Sequence, residues 1–317
     1  MPLDPIIQAI VDNTKAQGRS ASIADGTVEE ARQGYLMTRA VGGTDPDLAT
    51  VDDVVAPGPA GDIPLRVYRP ADGGAAGGTL PIVVYFHGGG FTIGSIDSHD
   101  PITRRIAADT GAIVVSVEYR LAPEHVFPAA VDDAFAALRW VADHATEVGG
   151  DPSRIAVAGD SAGGCLATVS ALMARDAGGP DLCFQALVYP TADTRMGHAS
   201  IEENADGPFL TKAAIEWFYR HYQPDVNDWR ASPILAPDLS GLPPALIVSA
   251  QYDPLRDENE AYAAKLREAG VEATLHRYET MPHMFFQLYG ILPVAQECMA
   301  EVCAALRGAF AAVRASS

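Results

Sequence analysis

A chain of 317 residues with 48% apolar content can bury a large core, enough for one α/β domain with an insertion or for two modest domains. Its 41 acidic against 22 basic residues leave a formal charge of -19, which repels phosphate backbones and anionic lipid and argues against a nucleic-acid or membrane-surface role. No run approaches the roughly 18 apolar residues of a spanning helix, and no opening segment joins a basic stretch to an unbroken apolar one, so a cytoplasmic protein is expected.

Two helix-like segments, 5–17 and 27–39, come before any strand signal, and their apolar residues recur at three and four spacing. Residues 42–61 are rich in Gly, Pro and Asp and read as a connector, after which 63–68 alternates like a half-exposed strand. A loop over 71–78 leads to the continuous apolar run 80–86, the pattern of a central strand covered on both faces, and this run ends in His87-Gly88-Gly89-Gly90. A helix over 98–110 precedes a buried strand at 112–118. An amphipathic helix over 128–148 is closed by Gly149-Gly150, and Ile155-Ala156-Val157-Ala158 then forms a short strand ahead of a helix over 161–177. With a further strand at 184–189, the repeating units predict a mostly parallel sheet with right-handed crossovers. Ligand sites on such sheets gather beyond the carboxyl ends of the strands.

Between 190 and 243 the rhythm breaks, and a helix over 211–222 carries Trp217, Phe218, Tyr219 and Tyr222, which reads as an inserted cap. The sheet resumes at 245–249, followed by a helix over 256–269, a strand over 273–278 and a closing helix over 293–313. Cys165, Cys183, Cys298 and Cys303 show no CxxC spacing and sit among apolar residues, as reduced thiols do rather than a disulfide frame or a zinc site. No metal site is expected.

The motifs lie where this sheet would gather its chemistry. Gly159-Asp160-Ser161-Ala162-Gly163 falls at a strand-to-helix junction, where a G-x-S-x-G turn exposes the serine hydroxyl and small flanking residues let strand and helix approach. Ser161 is the candidate nucleophile, although a turn serine is the plain alternative. Of the eight histidines, His283 sits after the last strand and before the last helix. His276 lies within a strand, His144 on a helix, His87 in the glycine motif, and His99, His125, His198 and His221 outside any late sheet-end loop. Asp253 follows the strand ending at Ala250 and is the candidate acid, whereas Asp257 lies a turn into the helix and should point elsewhere. Asp253 could equally cap that helix, and sequence does not separate the two roles. Asp160 should point away from Ser161 as a structural anchor. The glycines after His87 would let main-chain N–H groups reach a developing oxyanion, with the first helical amide, that of Ala162, aimed at the same space.

Together His87-Gly88-Gly89-Gly90, Tyr119-Arg120-Leu121-Ala122-Pro123-Glu124-His125, Gly159-Asp160-Ser161-Ala162-Gly163-Gly164 and Asp253-Pro254-Leu255-Arg256-Asp257 resemble the hormone-sensitive-lipase family of bacterial carboxylesterases (family IV) over nearly the whole chain. The resemblance implies an α/β-hydrolase core at 46–190 and 241–317, with a helical cap from 1–45 and the insertion 191–240. It implies hydrolysis of small-molecule esters with short-to-medium acyl chains, without a cofactor, through an acyl-enzyme on a Ser161-His283-Asp253 triad. It further implies an oxyanion hole of Gly89, Gly90 and Ala162, with Gly88 a weaker member. Cys165 stands where such enzymes often carry a polar residue. Leu36, Met37, Phe209, Leu210, Ile215 and Phe218 are candidates for the wall of an acyl pocket, or are simply cap core. A monomer or homodimer is expected. The family also resembles hormone receptors that lost the histidine, against which His283 speaks. A peptidase would bring a propeller domain of which nothing is seen, and the acidic surface disfavours a long-chain lipase.

Overall fold

The computed structural model describes residues 2–17, 23–71 and 78–316. Eight strands form one sheet in the order β1-β2-β4-β3-β5-β6-β7-β8, namely β1 (Leu48–Gly58), β2 (Gly61–Pro70), β3 (Leu80–Phe86), β4 (Ile113–Val117), β5 (Gly150–Asp160), β6 (Phe184–Val188), β7 (Ala245–Tyr252) and β8 (Ala273–Pro282). β1 and β2 pair antiparallel, β2 pairs antiparallel with β4, and every other neighbour is parallel. The alternating side chains of β3 explain why its sequence is apolar throughout. Ile82, Val84 and Phe86 face a core shared with α4 (Ala129–Asp143), α5 (Ala162–Ala177) and α8 (Arg256–Glu268), while Val83 and Tyr85 face one shared with α1 (Pro5–Ala16), α3 (Ile96–Thr110) and α9 (Pro293–Ser316).

A third apolar cluster lies apart from these two. It joins Ala31 and Tyr35 of α2 (Val28–Leu36) to Ala214, Ile215, Trp217 and Phe218 of α7 (Lys212–Tyr222), with Ile201 of the short helix α6 (Ala199–Glu203) and Leu255 beside them. No strand falls between 191 and 240.

The segment 42–61, expected as a connector, instead contains β1. Its Asp, Pro and Gly content hid a strand whose pattern of exposure is that of an edge: β1 pairs with β2 alone, and Asp52 and Asp53 point to water where Arg69 and Arg66 meet them across the ladder. Gly58 closes the hairpin, since a Cβ there would come within 2.6 Å of Ile63. Several bounds also shift. α4 stops at Asp143 rather than 148, and α2 gives way to a 3-10 turn at Met37–Val41. β5 starts at Gly150, and β8 runs on to Pro282, so that it delivers His283 directly. All four cysteines are free thiols. Among the described residues no helix is long and apolar enough to cross a membrane.

Candidate active site

The site begins with a register. Phe86 of β3 lies opposite Gly159 of β5, so the glycine loop leaving β3 and the serine turn leaving β5 emerge side by side where the strand order reverses. Ser161 carries φ 56° and ψ -121°, a conformation that costs a side-chain-bearing residue about 1–3 kcal/mol and needs over-determined surroundings. Those surroundings are main chain: the Ser161 N–H donates to Val188 O at 2.9 Å, and its carbonyl accepts from Thr191 N at 3.0 Å and Cys165 N at 3.2 Å. Gly159 and Gly163 are required, because a Cβ on either would overlap backbone, that of Gly163 and of Phe86 respectively.

His283 and Asp253 reach Ser161 from the ends of β8 and β7. His283 Nδ1 lies 2.7 Å from Asp253 Oδ2 and its Nε2 lies 2.9 Å from Ser161 Oγ. A carboxylate only accepts, so the ring proton belongs on Nδ1, which leaves Nε2 bare to accept the serine hydroxyl. Asp253 is fully buried and also takes the Leu255 N–H at 2.8 Å on Oδ1, so one carboxylate both orients the imidazole and caps the turn into α8. The same carboxylate makes both contacts. Tyr189 packs its ring 4.5 Å from that of His283. Asp257 points elsewhere, accepting from Ser200 N and Arg256 Nε.

Gly89 and Gly90 carry φ of +121° and +57°, and their N–H groups have no hydrogen-bond partner among the described residues. The Ala162 N–H, first in α5, has no intrahelical partner by the geometry of a helix start. Gly88 departs from expectation: its N–H donates to Asp160 Oδ1 at 3.0 Å and is not free for an oxyanion. A Cβ on Gly88 would strike the Asp160 carboxylate, which explains the glycine differently, as room for that contact.

Asp160 does turn away from Ser161, into a buried network. Tyr85 OH donates to its Oδ1 at 2.7 Å, and Gln287 Nε2 donates to its Oδ2 at 3.0 Å and to Tyr35 OH at 2.5 Å. Burial opposes its ionisation, yet the adjacent His99 imidazole and these hydrogen bonds hold its carboxyl below the usual carboxylate range. Burial, and then His99, drive His87 down to about 3, so it is neutral; its Nδ1–H donates to Gly88 O at 2.8 Å, and its ring stacks on Tyr119. Behind the serine, Glu258 of α8 accepts from Ala192 N and Asp193 N, gripping the strap that holds Ser161 O. Burial lifts its carboxyl well above the usual range. Sequence reading passed over Gln287, Tyr35 and Glu258, since no motif marks them and their contacts span the chain.

A cavity of about 350 Å³ opens over Ser161 and His283. Phe209, Leu210 and Phe218 line it. Ile215 does not; it is buried in the cluster shared by α2 and α7. Leu36 and Met37 also lie outside, 44% and 76% exposed; α2 presents Ala31, Gly34 and Tyr35 to the cavity, and the 3-10 turn after it adds Thr38. Helical spacing from 31 to 35 to 38 was the signal available for this face. Among the described residues no group of three or more His, Cys, Asp or Glu is placed to hold a metal ion.

Residues 83–287 match a family described as the alpha/beta hydrolase fold. The chain is 45% identical over 314 residues to Carboxylesterase NlhH of Mycobacterium tuberculosis, covering 97% of this chain and 96% of that protein. It is 40% identical over 253 residues to an ethyl acetate hydrolase of Pseudomonas putida, covering 77% of this chain and 78% of that one. Among solved structures, the hyperthermophilic esterase from the archaeon Pyrobaculum calidifontis superposes with a TM-score of 0.91 at 44% identity, covering 99% of this chain and 100% of that one.

Proposed function

The chain belongs to the hormone-sensitive-lipase type of α/β-hydrolase carboxylesterases and is a carboxylic ester hydrolase, and from that premise we propose that Ser161, His283 and Asp253 are its catalytic triad. The observation that carries this reading is the unbroken chain of short contacts from Asp253 Oδ2 through the imidazole to Ser161 Oγ. As Ser161 Oγ attacks the ester carbonyl, its proton passes to His283 Nε2, and buried Asp253 stabilises the imidazolium without taking the proton from Nδ1. The oxyanion is received by the N–H groups of Gly89, Gly90 and Ala162, each such donor being worth about 10²–10³ in rate. The imidazolium then protonates the departing alcohol. Water, deprotonated by the same Nε2, releases the acid from Ser161.

Residues 1–45 and 191–240 act as a cap over a core of 46–190 and 241–317. The reading is supported by the separate apolar cluster of α2 and α7 and by the cavity walls that both helices supply. The substrate is a small-molecule ester whose apolar arm fills that finite cavity. Each buried methylene adds about 0.8 kcal/mol until the space is full, which places the optimum at about C4 to C8 acyl chains. The name of the P. putida relative, an ethyl acetate hydrolase, supports a small ester as substrate, although acetate is an acyl group shorter than this range.

Ser161→Ala tests the triad. We expect kcat to fall by about 10⁴ to 10⁶ with the fold intact, and a phosphonate ester to add one covalent equivalent to the parent protein and none to the variant. Retention of more than about a tenth of the activity would refute the assignment.

A further inference from the structure

Gly34 is the seventh residue of the nine-residue helix α2, a position where glycine is a poorer helix former than alanine. The backbone does not ask for it. Gly34 is not among the positive-φ glycines, and a Cβ built on it would meet nothing within 4 Å. In this it differs from the glycines of the loop after β3, each of which would collide with a neighbour. What Gly34 does have is a place on the wall of the cavity over Ser161, one turn from Ala31 and beside Tyr35, on its solvent-open side.

We propose that Gly34 is a specificity-determining residue: by carrying no side chain it leaves a gap in the α2 wall through which the apolar arm of a long ester runs out of the cavity. This deepens the catalytic reading above and rests on it. On the α7 side large side chains close the wall, since Phe209 and Leu210 lie between α6 and α7 and Phe218 covers Gly90 from α7. On the α2 side the small residues are Gly26, Ala31 and Gly34; a Cβ on Gly26 would lie 3.5 Å from Glu30, whereas one on Gly34 would face open space. An arm longer than the cavity therefore finds a low-profile stretch of wall at Gly34, and a branched or aromatic side chain there blocks it. Chain length is then limited by what the gap lets pass and not by cavity volume alone.

The test is the ratio of kcat/KM for p-nitrophenyl decanoate to that for p-nitrophenyl butyrate. Because it is a ratio, it does not depend on how much of a variant is folded. Each methylene that loses its apolar contact lowers the numerator about fourfold, so two cost about fifteenfold. We expect Gly34→Phe to lower the ratio by at least tenfold, Gly34→Leu by less, and Gly34→Ala hardly at all. Gly308→Leu serves as the control. Gly308 is likewise a helical glycine with open space at its Cβ, but it lies on α9 away from the cavity, and the ratio should be unmoved there.

A parallel series of hexyl and ethyl acetates separates the two ends of the ester: a loss confined to the hexyl acetate arm would show that the gap takes the alcohol side, which still supports the proposal. A ratio unchanged within twofold in Gly34→Phe in both series, or one that falls equally in Gly308→Leu, would overturn it. Ser161→Ala keeps the two readings apart. An inactive Ser161→Ala with an unmoved Gly34→Phe ratio sinks only the role of Gly34, whereas an active Ser161→Ala sinks the triad.

Discussion

A methyl group added at Gly163 would collide with the carbonyl of Phe86, and one at Gly159 with the backbone of Gly163, whereas one added at Gly34 would meet no atom within 4 Å. Both regions face the same serine. Beneath it, strand, turn and helix are pressed together so closely that the conformation of Ser161 has no room to relax. Above it, the wall is made of side chains that can be exchanged without touching main chain. On the reading proposed above, chemistry rests on backbone geometry, which tolerates little, and the shape of the substrate on side chains of helices, which tolerate much. A strained nucleophile needs the first arrangement and a tunable cavity the second.

The comparison breaks if the triad can be altered cheaply. His283→Asn should cost about 10⁴ in kcat, and Asp253→Asn less, because the aspartate orients and stabilises the imidazolium without carrying the proton. Steady-state kinetics on folded variants decides it, and Asp257→Asn proving the more damaging of the two aspartate changes would move the acid elsewhere. A smaller loss is expected from Gly163→Ala. It leaves every reacting side chain in place but pushes the start of α5 off β3, so kcat/KM should drop about 10²–10³ through the misaligned Ala162 amide, with about 1–3 kcal/mol of stability lost to overpacking. An alanine variant as active as its parent would show that the elbow is not as tightly determined as its contacts suggest.

The mildest change sharpens the comparison through pH. The raised carboxyl of buried Glu258 keeps its proton in the folded chain, while the unfolded chain releases it above about pH 4.3. Its contribution is therefore full below that pH and is lost as pH rises toward the folded value, by up to about 1.4 kcal/mol per unit. Glu258→Gln keeps the acceptor for Ala192 N and Asp193 N but has no proton to hold. Urea unfolding at pH 5, 7 and 9 should show the variant gaining on the parent as pH rises. Parallel curves would mean that Glu258 ionises in place.

What could be read from the sequence was what is local. The G-x-S-x-G turn, the glycines after β3, and an aspartate and a histidine each placed just past a strand bring their geometry with them, and the structure sets Ser161, His283 and Asp253 within hydrogen-bonding reach. What was not legible depends on partners distant in sequence. β1 is a strand because β2 lies beside it, not because its Asp-rich segment favours one. Gly88 loses its N–H to Asp160, 72 residues on. Leu36 and Met37 are apolar yet exposed, while Tyr35 is buried in the cluster with α7 and the smaller Ala31 and Gly34 beside it border the cavity. Hydrophobic patterning finds which face of a helix is buried; it does not find which face borders empty space.

The hydrogen bonds from Tyr35 through Gln287 to Asp160 have a consequence for motion. The helix lying over the cavity and the first glycine of the loop beneath it are fastened to one buried carboxylate, so α2 cannot drift outward by degrees. In this buried setting, parting Tyr35 from Gln287 would leave polar groups unsatisfied, which opposes outward movement of α2. The phenol of Tyr35 is thus a fastening as well as a wall, and Tyr35→Phe, which keeps the ring and removes the bond to Gln287, would leave that ring held by packing alone.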